Sequence, residues 1–352
     1  MEIIFFIILF TYAMTLIILI WGFEKISQTK VIKSNANKKF SIIVVYKDEN
    51  QHLPNLLKSF QALSYPLDAF EILMINDGSK VDFDFSFYNL PIQMINNVRY
   101  SQSPKKDGIS LATKMAQYDW LVVTDADCIV PPTWLNSLND FLNLNNQYHM
   151  VCGPVFVNQK LNFLHHFQAW DFVSLQAVTV GSFGLEKPFM CNGANMTFSK
   201  LIFNQINGYE SNHHIASGDD VFLLQKIASR SSNSVGYLNH KDFLVLTSPL
   251  NSWKKTINQR IRWGSKSKHY ESSWGIYLGL LTVLISLFYL ISFFTLNYFF
   301  ILLKIIIDIF FLSYMAKKTS QKQRYLLISI CLYPLIILTV ISKSIFVKVK
   351  WK

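Results

Sequence analysis

The sequence is poor in cysteine, in charge and in acid. Its four cysteines, Cys128, Cys152, Cys191 and Cys331, fall at spacings that build no metal-ligand set, so thiolate metal chemistry is excluded. Charged residues make up only 16% against 51% hydrophobic, too apolar for an ordinary soluble enzyme and too charged for a bundle of membrane helices alone. Acids are outnumbered, 22 to 33 basic residues, for a net charge of +11. Such an excess can mark a nucleic-acid partner. Here the basic residues cluster beside apolar segments, at 25–39, 254–268 and 317–324. Anionic lipid headgroups account for that placement, so membrane lipids are expected partners and nucleic acid is not.

The first apolar run, Ile3 to Phe23, also lacks what a cleaved leader needs. No basic residue precedes it, it is too long for a signal-peptide core, and no small-x-small site follows. About 20 residues cross a bilayer, so it predicts an uncleaved anchor. Lys25, Lys30, Lys33, Lys38 and Lys39 follow it. The positive-inside rule then puts the next domain in the cytoplasm, where Cys128, Cys152 and Cys191 are expected as free thiols. A block from Trp274 to Tyr314 suits two helices, with Lys304 and Asp308 spaced to pair on one face of the second. After the basic loop from Lys317-Lys318 to Arg324, Tyr325 to Ile341 gives a further span interrupted by Pro334. Four spans put the last residues outside, yet Lys343, Lys348, Lys350 and Lys352 are basic. A re-entrant or interfacial carboxyl-terminal segment is the alternative.

Between the spans, three apolar runs each end in polar residues. Phe40 to Tyr46 ends in Lys47-Asp48-Glu49-Asn50, and Leu53, Leu56, Leu57 and Phe60 then recur at helical spacing. Phe70 to Ile75 ends in Asn76-Asp77-Gly78-Ser79. Trp120 to Val123 ends in Thr124-Asp125-Ala126-Asp127-Cys128, closed by Pro131-Pro132. Buried strands alternating with helices predict a parallel, doubly wound sheet whose ligands bind at the carboxyl ends of the strands. Two carboxylates at such an end can share one hard divalent cation, which can hold phosphates. Lys105-Lys106 precede the third strand as a solvated pair or as a cation near a nucleotide.

Farther on, the glycine of Cys191-Asn192-Gly193-Ala194-Asn195-Met196 permits close backbone approach to a ligand. Asp219-Asp220 precede a helical pattern, as caps or with one held as a general base. His213-His214 is expected to be a solvated pair. The segment Trp253 to His269, with Gln259-Arg260-Ile261-Arg262-Trp263, is basic and amphipathic, as an interfacial helix is.

Taken in order, Asp77, Asp125-Ala126-Asp127, Asp219-Asp220 and Gln259-x-x-Arg262-Trp263 resemble the motifs of membrane-bound glycosyltransferases of family 2. Cellulose, chitin and hyaluronan synthases and ceramide glucosyltransferases carry this set. The resemblance covers about Phe40 to Trp263. It implies an α/β fold, a GT-A Rossmann-like domain with flanking transmembrane helices. It also implies a nucleotide-sugar donor, an acceptor that is lipid-linked or a glycan, and Mg²⁺ or Mn²⁺ as cofactor. By matching position, Asp77, Tyr46 and Glu49 line the nucleotide pocket, and Lys106 lies beside the nucleotide. Asp125 faces ribose and phosphates, Asp127 is the metal ligand, and Asp220 is the catalytic base. Gln259, Arg262 and Trp263 resemble the motif that closes over the diphosphate and the acceptor end. One departure is Asp219, where synthases usually carry glutamate.

The expected organisation is an anchor over 1–24, a basic linker over 25–39 and a cytoplasmic catalytic domain over 40–250. An amphipathic segment over 251–273 and about three spans over 274–352 complete it. The expected reaction is inverting transfer from a UDP-sugar or similar donor, in envelope glycan or glycolipid synthesis at a bacterial plasma membrane. A processive polysaccharide synthase, an inactive sugar-nucleotide-binding membrane protein and a nucleotidyltransferase are the competing readings.

Overall fold

The structure, a computed structural model, describes residues 2–27, 33–34, 38–158, 162–320 and 324–346. Lys30, Lys348, Lys350 and Lys352, used above to orient the chain, lie outside the described residues. In chain order the elements are α1 (Glu2–Ser27), β1 (Phe40–Tyr46), α2 (Leu53–Gln61), β2 (Phe70–Asn76), β3 (Ile92–Asn96), α3 (Pro104–Met115), β4 (Trp120–Asp125) and β5 (Cys128–Ile129). Then follow α4 (Trp134–Leu144), β6 (Met150–Cys152), β7 (Val155–Val157), α5 (Phe163–Gly184), β8 (Met196–Ser199), α6 (Lys200–Gln205), α7 (Asp219–Ala228), β9 (Val235–Tyr237) and β10 (Val245–Thr247). The chain closes with α8 (Trp253–Ser265), α9 (Ser273–Phe294), α10 (Tyr298–Lys318) and α11 (Leu326–Phe346).

These elements form two compact units. One comprises Ile26–Phe156 and Met190–Ser248, the other Met1–Lys25, Val157–Phe189 and Pro249–Val349. The stretch 40–250, expected as one continuous domain, is therefore interrupted by a helical segment that groups with the apolar helices.

The first unit is built on a seven-stranded sheet of order β3-β2-β1-β4-β8-β6-β9. Strands β1 and β2 are buried at every position, the setting that their unbroken apolar runs require. The sheet is parallel from β3 to β4. The all-parallel expectation fails beyond that point, since β8 runs antiparallel to both β4 and β6. The strand β8 enters the sheet after a long excursion through the other unit, so no single right-handed crossover dictates its direction. A short second sheet pairs β5 with β10 antiparallel.

Two buried polar devices fix this unit. The Asn195 side chain donates to the carbonyls of Pro154 (3.1 Å) and Phe243 (2.7 Å) and accepts from Trp134 Nε1 (3.1 Å). Trp134 itself is stacked between Phe60 and Phe243. Buried Glu71 accepts from Ser41 Oγ and the Gln117 amide, both at 2.6 Å, which satisfies its charge with short hydrogen bonds.

Among the described residues, the second unit holds four helices long and apolar enough to cross a membrane, Ile3–Ile26, Ser273–Phe294, Tyr298–Lys318 and Leu326–Ser344. Phe5 and Leu9 of α1 pack on Ile285 of α9 and Phe300 of α10. The expected pair is present, with Lys304 Nζ 2.6 Å from Asp308 Oδ2, and Tyr12 donates to Asp308 Oδ1 at 2.8 Å. The helix α5, which periodicity did not announce, is buried over most of its length. Its backbone touches that of α1. A Cβ on Gly184 would lie 1.8 Å from the Gly22 carbonyl oxygen, and one on Gly22 would lie 2.2 Å from that of Gly181. Only glycine allows this crossing.

Candidate active site

The register of the parallel strands sets out the first part of the site. Tyr46 is level with Asn76, and Val45 is level with Asp125. Each strand therefore delivers its polar end to one edge of the sheet, the carboxyl edge at which open α/β sheets bind ligands.

Asp77 follows directly from β2, and its amide donates to the Tyr46 carbonyl at 2.9 Å. Its carboxylate is almost wholly buried and fully engaged. Oδ1 accepts from Asn97 Nδ2 and Arg99 Nε, each at 2.8 Å, and Oδ2 accepts from Arg99 Nη2 at 2.6 Å. The Arg99 side chain is 45% exposed, so this fork presents a cation to solvent beside a neutralised acid. The Tyr46 hydroxyl is buried without a hydrogen-bond partner among the described residues. Burial, with Asp82 nearby, pushes its pKa up to about 12. Its ring meets Phe85 at 6.1 Å, and Phe83 joins Phe85 to Tyr88 in an aromatic loop. That loop escaped the sequence reading, although the alternation Val81-Asp82-Phe83-Asp84-Phe85 signals it. Glu49 is half-buried. Its carbonyl accepts from the amides of His52 and Leu53 at the start of α2, and its carboxylate lies 3.9 Å from His52 Nε2.

The second part gathers round a lysine. Lys105 Nζ lies 2.6 Å from Asp125 Oδ1 and 3.1 Å from Asp219 Oδ2. Burial lowers the Lys105 pKa, but Asp125 and Asp219 outweigh it, and the ammonium is held charged well above its ordinary range. Lys106, expected beside the nucleotide, is instead fully buried. It donates to the carbonyls of Asn212 (2.8 Å) and Ile215 (3.1 Å) and lies over the Phe222 ring, securing the loop that leads to Asp219. The cation among the carboxylates is its neighbour.

Asp219 and Asp220 open α7, with Gly218 as the cap residue in the left-handed region. Asp220 Oδ1 accepts the Val221 amide at 2.7 Å, and Oδ2 accepts the Gly193 amide at 3.3 Å. A Cβ on Gly193 would come 2.9 Å from Asp219 Oδ2 and 3.3 Å from Lys105 Nζ. The close approach that this glycine permits is therefore to the acid cluster of the chain itself. His213 and His214 are both exposed, as expected.

Asp127 is half-buried, and its carbonyl accepts the Ser248 amide at 3.2 Å. Among the described residues no three His, Cys, Asp or Glu side chains gather as a complete metal-ligand set. Asp125 and Asp127 suit an ion that takes one or two carboxylates and completes its shell with phosphates and water, as Mg²⁺ does. Asp125 already attracts a cation at 2.6 Å in the form of Lys105. The neighbouring Cys128 is buried, and burial, with Asp127 and Asp125, drives its thiol pKa up, so it is an inert packing group.

Gln259, Arg262 and Trp263 sit on α8 in the other unit. Their spacing of three and four residues puts them on one helix face, and all three are half-buried. Sequence reasoning gave no role to Arg260 or Asp171, which form a buried ion pair beneath them.

A family profile described as glycosyltransferase like family 2 matches residues 37–265. No curated protein sequence matches the chain. Among solved structures, the mannosyltransferase PcManGT from Pyrobaculum calidifontis, in complex with GDP-Man and Mn²⁺, is similar over 74% of this chain and 70% of its own, with 16% identity and a TM-score of 0.53. The S. aureus TarS fragment 1–349 aligns over 66% of each chain, with 13% identity and a TM-score of 0.43.

Proposed function

The chain belongs to the family described as glycosyltransferase like family 2, and from that premise we propose that it transfers a sugar with inversion to a membrane-associated hydroxyl acceptor. It is a glycosyltransferase of GT-A fold, and its donor is a nucleotide-sugar. The observation that carries the finer reading is the meeting of Asp125, from the end of β4, with Asp219 and Asp220, from the start of α7, around Lys105. Such a cluster offers a polyanion-facing cation, a metal-binding carboxylate and a base within one site.

In this reading the aromatic loop and the Asp77–Arg99 fork take the nucleoside, and Glu49 and Tyr46 line the same pocket. Asp127, with Asp125, would hold Mg²⁺ or Mn²⁺. When bound there, such an ion would supply positive charge against the departing diphosphate. Lys105 turns towards the same phosphates once its carboxylates are occupied. Asp220 takes the proton from the acceptor hydroxyl as that oxygen attacks the anomeric carbon. Its pose is set by the amides of Val221 and Gly193. Gln259, Arg262 and Trp263 engage the diphosphate and the acceptor end, as in the family motif they match. The four apolar helices support an acceptor drawn from the membrane, a lipid or a lipid-linked glycan.

The test is a panel of nucleotide-sugars incubated with membranes holding the protein. Release of a nucleoside diphosphate from one donor, with label passing to a lipid-extractable product of one or a few sugars, is expected. Pyrophosphate as the leaving product would overturn the reaction class, and long polymer would favour the processive alternative.

A further inference from the structure

Arg260 occupies a position that the Gln-x-x-Arg-Trp pattern leaves unspecified, yet it is buried and held on two sides. It is nine-tenths buried, and so is its partner Asp171 on α5. Its Nε donates to Asp171 Oδ2 at 2.5 Å, and its Nη1 donates to Gln259 Oε1 at 2.5 Å. The guanidinium lies 4.2 Å from the centre of the Trp263 ring and 5.5 Å from that of Phe172. Phe172 in turn meets Trp263 edge-on at 5.9 Å.

Three positions of α5 hold α8 and its approach. Gln168 exchanges two hydrogen bonds with the Leu250 backbone (2.8 and 2.9 Å), and His165 Nε2 lies 2.9 Å from Asn251 Oδ1. Asp171 is the third, at the same three-residue spacing, and it is the one that reaches the motif. A guanidinium has donors only, so the amide oxygen of Gln259 must face it. That fixes the amide: Oε1 points inward, and Nε2 with its two hydrogens is what remains for a ligand.

We propose that Arg260, anchored on Asp171, is a positioning residue that sets Gln259 as an N–H donor and fixes the plane of the Trp263 indole. The group that Gln259 meets is then an oxygen acceptor, either a phosphate of the donor or a hydroxyl of a sugar. The proposal rests on the reading that Gln259 and Trp263 serve the donor and the acceptor. A buried ion pair suits the task because breaking it by removing one partner leaves an uncompensated charge, so the pose has no cheap alternative.

The test uses the full chain in lipid nanodiscs, labelled with 5-fluorotryptophan, with the Trp263 resonance assigned by Trp263→Phe. Asp171→Asn and Arg260→Ala are expected to shift that resonance and to lower turnover about 100-fold, the scale of a misplaced catalytic contact. Arg260→Lys does not rescue, because a single ammonium cannot replace the planar fork. Gln259→Glu is the decisive variant. Its carboxylate still accepts from Arg260, so the Trp263 resonance stays and the fold is kept, but turnover falls about 10-fold or more with the outward N–H donors gone. A parallel loss of donor affinity assigns the acceptor oxygen to the diphosphate, and unchanged donor affinity assigns it to a sugar hydroxyl. An unmoved Trp263 resonance in Asp171→Asn and Arg260→Ala overturns the positioning role, and wild-type turnover in Gln259→Glu overturns the donor role. A wild-type protein that releases no nucleoside diphosphate from any nucleotide-sugar would instead overturn the proposed function, while the fluorine shifts still report on the Arg260 anchor.

Discussion

Lys105 and Lys106 are neighbours that serve different ends, and the difference lies in one helical step. Successive side chains of a helix point about 100° apart, so at the start of α3 one lysine faces the acid cluster and the other the interior. The sequence shows a basic pair twenty residues before the acid pair but not which member turns which way; the family-based choice was Lys106, which faces the interior, while Lys105 meets Asp125. Asp125, Asp219 and Asp220 were legible because each stands where an apolar or helical pattern starts or stops. Arg99 was not, because its partner Asp77 lies on another strand end 22 residues away. The lysine gives a test at this scale. Lys105→Met leaves Asp125 and Asp219 facing each other without a cation. It is expected to destabilise the fold by about 2 kcal/mol, less than a fully buried pair because Asp125 is 38% exposed. Thermal unfolding reads the loss, and added Mn²⁺ recovers part of it at the same carboxylates. A midpoint equal to wild type with and without Mn²⁺ would count against the cluster.

At the scale of elements, strands β1, β2 and β4 and the apolar helices could be read from unbroken hydrophobic runs. The edge strand β3 could not, since its exposed and half-buried positions carry no clear period. Nor could α5, for the opposite reason. It is covered on most sides, so its sequence shows no charged solvent face to betray the helix, and the polar residues it carries at three-residue spacing, His165, Gln168 and Asp171, are spent on α8 and the chain before it. The glycines were the missed signal, because Gly181 and Gly184 fall one turn apart and meet Gly22. Gly184→Val is therefore expected to force α1 from α5 and cost about 1–3 kcal/mol, as overpacking does. Protease resistance in mild detergent would show it, with new cleavage near α1. Unaltered resistance would mean the two backbones are not in contact.

The whole molecule interleaves its two units along the chain, passing between them at residues 25–26, 156–157, 189–190 and 248–249. A division of the sequence into consecutive blocks does not show this interleaving, because no local pattern marks where the chain changes unit. The excess of basic residues beside apolar segments, the four apolar helices among the described residues and the acid cluster at the sheet edge all support the proposal of a glycosyltransferase working on an acceptor at a membrane surface. In that proposal Asp220 is the base for the transfer. The direct measurement compares Asp220→Asn with wild type in the full chain in lipid, for donor affinity by calorimetry and for sugar transfer by label. Unchanged donor affinity is expected, with transfer lowered about 100-fold or more, the scale of general-base catalysis. Transfer near the wild-type rate in that variant would contradict it.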